Sequence, residues 1–195
     1  MNFEDRTTRA ARVLCLAGSL RRDSWNRRLL KSAASTRSGS ELVLYEGLAA
    51  IPFLNEDDEG AVAQGVRELG DAVSRADALL IATPEYNHSF PAVLKNAIDW
   101  LSRGSKSALT GKPIAVIGAS SGNWGTRLAQ TALRQVLTAT GALVMPAPML
   151  FVARVSECFD ADGNLVDPKI RESLNSVLRA LEDWIELHRG RSEQL

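Results

Sequence analysis

Residues 78–83 read ALLIAT, and residues 92–102 read AVLKNAIDWLS. The first run has strand length and carries no charge. The second repeats Val93, Leu94, Ala97, Ile98 and Leu101 at helical spacing. An apolar strand passed straight to an amphipathic helix points to a parallel sheet covered on both faces, since parallel neighbours need a helical crossover. The same alternation extends outward. Residues 12–17 (RVLCLA), 41–45 (ELVLY), 113–118 (PIAVIG) and 142–145, resuming near Leu150, predict the other strands. Residues 26–36, 62–75, 126–140 and 168–188 predict the other helices, with Pro168 suited to a first turn. Five strands alternating with five helices predict a doubly wound α/β fold.

The 195 residues fit one such domain, 1–195, with 1–11 peripheral or disordered. Lys plus Arg and Asp plus Glu both number 23, so nothing in the charge calls for nucleic acid or an acidic membrane as partner. No apolar run reaches membrane-spanning length and the N-terminus carries no secretion signal, so the expected compartment is the cytoplasm. Cys15 and Cys158 form no CxxC, which argues against a zinc site or disulfide scaffold, and Cys15 reads as a small core residue. Residues 160–167 (DADGNLVD) begin like a calcium loop, but the remaining ligands do not follow, and a turn is predicted.

In open α/β sheets, ligands bind beyond the carboxyl ends of the strands. After the first strand come Gly18, Ser19, Arg21, Ser24, Trp25 and Asn26. A glycine for the turn, hydroxyls, a guanidinium and the start of a helix make an anion site. The spacing is neither GxGxxG nor GxxxxGK[ST], so one phosphate matches better than a di- or triphosphate. A solvated turn with Ser24 as helix N-cap reads equally well. After the third strand, residues 83–91 (TPEYNHSFP) place Pro84, Glu85, Tyr86 and Asn87 where backbone groups can meet a flat heterocycle. Tyr86 also reads as a partly buried aromatic of the helix cap, and His88 as an exposed loop residue. After the fourth strand, Ser120, Ser121 and Gly122 allow close approach to a planar ring, or simply connect strand to helix.

GSLRRDSWN (18–26), TPEYNHSFPAVLKNAIDW (83–100) and the Ser/Gly loop together resemble the NAD(P)H-dependent FMN reductase family. That family is flavodoxin-like and includes quinone, chromate and azo-dye reductases. The similarity runs over residues 13–188, and residues 48–57 (LAAIPFLNED) resemble the family's loop after strand two. The resemblance implies a flavodoxin-like five-stranded sheet of order 2-1-3-4-5, bound FMN, and NADPH or NADH as electron donor. It implies that Ser19, Arg21, Ser24, Trp25 and Asn26 hold the FMN phosphate. Pro84, Glu85, Tyr86 and Asn87 would border the isoalloxazine ring, with Ser120, Ser121 and Gly122 along its other side. No catalytic side chain and no metal are called for, because the flavin carries the chemistry. The chain departs from some relatives at Gly125-Thr126, where they have Gly-Gly, and in the bulk of Trp124.

The expected activity is ping-pong electron transfer from reduced nicotinamide through FMN to a small acceptor: a quinone, an azo dye, a metal oxyanion or free flavin. A flavodoxin-type carrier would show a strongly acidic surface, which the even charge does not provide. A phosphate-sensing module without flavin is the reading from another class. Trp100 and Leu101 suggest a face for a homodimer or homotetramer, the family's usual state, or simply core packing. Arg22, Arg103 and Lys106 are candidates for a nucleotide 2′-phosphate, or ordinary surface charges.

Overall fold

The computed structural model describes residues 9–36, 38–103 and 107–189; residues 1–8 of the predicted peripheral segment and Lys106 lie outside them. The strands are β1 (Ala11–Ala17), β2 (Ser40–Tyr45), β3 (Ala78–Ala82), β4 (Pro113–Ala119), β5 (Leu143–Val144) and β6 (Leu150–Val152). The helices are α1 (Trp25–Ala34), α2 (Gln64–Ser74), α3 (Ala92–Leu101), α4 (Arg127–Ala139) and α5 (Pro168–His188). Strand order is β2-β1-β3-β4-β5, with every pairing parallel, and β6 also pairs with β4. This is the flavodoxin-like order that the sequence led us to expect.

Alternation along each strand fills two cores. Val13, Cys15, Leu80 and Ile117 face α1 and α5. Leu14, Leu16, Leu79, Ile81 and Val116 face α2, α3 and α4. Strands buried on both faces cannot alternate apolar with polar, so they read as continuous apolar runs.

The fifth strand position is split. Leu143 and Val144 pair with Pro113 and Ile114, and Leu150–Val152 pair with Ile117–Ala119. Pro146 and Pro148 lie between them and have no N–H to donate, which breaks the ladder there. Helix α5 starts at Pro168, and the Asp167 carboxylate accepts bonds from the Lys169 and Ile170 amides at 2.8 and 3.0 Å. Residues 160–165 form the predicted turn, with Phe159 bridged to Leu165.

Helix α3 holds the segment after β2. Asn96 donates to Pro52 O and accepts from Leu54 N, and the Trp100 indole also donates to Pro52 O, each at 2.8 Å. Trp100 and Leu101 are each only 5% exposed. They belong to this chain's own core, so the face suggested for self-association is not open to a partner.

Candidate functional site

The loops after β1, β3 and β4 leave the same edge of the sheet. Gly18 N donates to Ala82 O at 2.8 Å, and Thr83 N donates to Ile117 O at 3.0 Å, so the three strand exits lie side by side. Gly18 is needed for closeness rather than for an unusual φ. A Cβ there would stand 2.5 Å from Leu94 Cδ1 and 3.1 Å from Pro84 Cδ.

The loops enclose a cavity of about 110 Å³. Ser19 and Arg21 line it from the first loop, and Ser24, Trp25 and Asn26 from the start of α1. Pro84, Glu85 and Tyr86 line it from the second loop, and Ser120 and Ser121 from the third. The backbone end of β4 at Ala119 completes the wall, a contact that no residue-type signal announces. Asn87 and Gly122 stand outside this lining. A larger cavity of about 600 Å³ lies between α1, residues 162–165 and α5, away from the strand ends, and takes in none of the three loops.

Each wall is tied to a neighbour. Ser19 Oγ accepts from Arg21 N at 3.3 Å and from the Tyr86 hydroxyl at 3.4 Å, which links the first and second loops. Trp25 packs against Phe159 with ring centroids 5.6 Å apart, under the Arg28 guanidinium. Ser24 is the α1 N-cap, its side chain accepting from Arg27 N, so the capping reading of this serine holds whatever else it binds. The first N–H groups of a helix have no acceptor within it, so the α1 N-terminus presents donors at the cavity wall.

Two predicted cofactor contacts have their side chains committed elsewhere. The Asn26 amide, 2% exposed, donates to Ala119 O at 3.0 Å and accepts from Ala119 N at 2.9 Å. It bolts α1 to the end of β4, and only its backbone remains for an anion. Glu85 Oε2 accepts from the Leu128 and Ala129 amides, both at 3.0 Å, at the start of α4. Its other oxygen lies 3.9 Å from Nδ1 of the exposed His88. Tyr86 and Ser89 exchange two backbone bonds around Asn87 (φ 50) and His88 (φ 64), a tight turn with both central residues left-handed. Tyr86 is half exposed above it.

After β4, the Ser120 hydroxyl accepts from Gly122 N at 3.0 Å, and Gly122 O accepts from Arg154 N at 3.0 Å. Thr126 is buried and takes a bond from the Gln130 amide, so the departure at this position is structural. Trp124 is 77% exposed and is not part of the cavity lining. Arg103 is paired with Glu56 and Glu59 beside a different cavity, and Arg22 is exposed. Among the described residues, no group of three or more His, Cys, Asp or Glu is placed to hold a metal, and no helix is long and apolar enough to cross a membrane.

Residues 11–157 match the sequence profile of the NADPH-dependent FMN reductases. The chain belongs to that family. An NAD(P)H-dependent FMN reductase of Pseudomonas aeruginosa is 39% identical over 180 residues, covering 92% of this chain and 97% of that protein. A 2-hydroxy-1,4-benzoquinone reductase of a Burkholderia species is 35% identical over 177 residues, 90% of this chain and 97% of its own. The solved structure of FerB from Paracoccus denitrificans, a flavoenzyme NAD(P)H:(acceptor) oxidoreductase, superposes with a TM-score of 0.83 at 37% identity, covering 92% of this chain and 99% of that one. As a member of the FMN reductase family the chain is an oxidoreductase, with FMN and reduced nicotinamide as its cofactors.

Proposed function

We propose that residues 1–195 form one FMN-binding domain which passes electrons from NADPH or NADH to small acceptors, quinones foremost. The observation that carries this reading is the convergence of three strand-end loops on one cavity, lined by a helix N-terminus, an arginine and a half-exposed tyrosine. When bound, FMN supplies the redox chemistry, accepting a hydride equivalent and yielding two electrons.

The protein binds and orients. Arg21, the Ser19 and Ser24 hydroxyls and the α1 amides at Trp25 and Asn26 would hold the phosphate. Pro84, Glu85, Tyr86 and Asn87 would border the ring, with Ser120, Ser121 and Gly122 opposite. The enclosed volume of about 110 Å³ falls short of the roughly 300–1,000 Å³ of ordinary ligand pockets. It suits a phosphate tail and would leave the flat head outside it, open to nicotinamide and acceptor in turn. That sharing of one face is the basis for ping-pong kinetics. Parallel double-reciprocal lines are expected, and intersecting lines would count against it.

The phosphate assignment has its own test. A charge-assisted bond contributes about 1.5–3 kcal/mol, so Arg21→Ala should weaken FMN binding by about 30-fold and leave riboflavin binding unchanged. Equal affinity of the wild type for FMN and riboflavin would remove the assignment. Two buried free cysteines fit a reducing compartment such as the cytoplasm. The resemblance to the family supports a homodimer or homotetramer; a monomer mass by sedimentation at micromolar concentration would exclude it.

A further inference from the structure

Helix α4 has no cap of its own. Thr126 occupies the N-cap position, yet it makes no side-chain cap bond, and its hydroxyl is taken by Gln130. The missing acceptor arrives from another loop. Glu85, 43 and 44 residues earlier in the chain, accepts from the Leu128 and Ala129 amides with a single carboxylate oxygen. Its side chain is 15% exposed, so the contact is partly shielded from water. A carboxylate on two free N–H groups at the positive end of a helix is a charge-assisted contact of the stronger kind.

The neighbour of Glu85 in sequence opens the turn closed by Tyr86 and Ser89, whose two central residues sit at positive φ. Left-handed conformations at residues other than glycine persist only where the surroundings hold them. We infer that Glu85 is a positioning residue: its carboxylate straps the turn at 86–89 to the start of α4, so that the second and third loops of the cavity hold one fixed spacing. The inference rests on the FMN reading for its functional consequence, and on the geometry alone for the strap.

The test compares Glu85→Ala with Glu85→Gln in the full chain, the glutamine keeping an oxygen that can accept. Amide exchange on the protein without FMN reads the strap directly. In Glu85→Ala, the amides of Leu128, Ala129, Tyr86 and Ser89 should all exchange about tenfold faster, and glutamine should restore most of the protection. FMN and riboflavin should both bind about tenfold more weakly to Glu85→Ala, with their ratio unchanged, because the phosphate end is untouched. If only the two helix amides lose protection and both affinities stay at wild-type values, Glu85 is a helix cap and the inference is overturned. Should Glu85→Ala fail to fold, Glu85→Asp, which keeps the charge but withdraws the oxygens by one methylene, carries the same measurements. A wild type that takes up no FMN would defeat the functional reading while the exchange arm still decides the strap.

Discussion

Replacing Gly118 by alanine adds one methyl group at the point where β4 meets the candidate site. Gly118 is not among the glycines at positive φ, so the backbone itself would accept alanine. Space would not. A Cβ there runs into the Thr83 carbonyl oxygen and the Thr126 hydroxyl, both inside the 3.0 Å that real Cβ atoms essentially never breach. Ordinary contact begins at 3.4 Å, so each oxygen must retreat by more than 0.4 Å, the difference between those limits. Thr83 O belongs to the backbone entering the second loop, and Thr126 leads into α4, so neither gives way cheaply. Overpacking of this kind costs up to about 3 kcal/mol, which for a chain of this length lowers Tm by roughly 6–12 °C. Urea unfolding should show the loss as a lower midpoint at an unchanged slope. Gly70→Ala is the control. It lies within α2, where a Cβ meets nothing within 4 Å, and alanine there should stabilise by about 0.5–1 kcal/mol. Gly118→Ala as stable as wild type would refute the steric argument.

Asn26→Ala strips both partners from the backbone of Ala119 and should cost roughly 3 kcal/mol by urea unfolding, with the FMN-to-riboflavin preference intact. A folded variant that loses that preference would instead place the Asn26 amide on the phosphate. His88→Gly relieves a left-handed residue at φ 64 and should raise stability by about 1 kcal/mol, or Tm by roughly 2–4 °C; a lower Tm by calorimetry would contradict it. Burial pushes the Cys15 thiol from 9.0 up to about 12. Its contribution is therefore full below pH 9 and is lost as pH rises toward 12, because the unfolded chain releases the proton first. Relative to Cys15→Ala, wild-type stability should fall by about 1.4 kcal/mol per pH unit in that window. Parallel pH profiles for the two proteins would show that Cys15 is not protected.

The larger features of this protein are legible in the chain because they depend on local periodicity. Apolar runs such as 78–83 mark strands buried on both faces, and α5 begins and ends at the predicted Pro168 and His188. The loops at 18–26, 83–91 and 120–126 follow the strand ends, and ten of the twelve residues picked from them do line one cavity. What residue type and spacing do not disclose is which groups a side chain finally meets. The resemblance implies Asn26 at the phosphate, and nothing in its type or spacing shows that its side chain is bonded to Ala119, 93 residues away. Glu85 is implied at the ring by the resemblance, and nothing in its type or spacing shows that its carboxylate also meets the Leu128 and Ala129 amides. Trp100 reads as a self-association face or as core, and its indole, buried and bonded to Pro52 O, decides for the core. Each of these polar groups meets backbone donors or acceptors more than forty residues away in the chain. Those distances come into being only when the strands lie in the order β2-β1-β3-β4-β5.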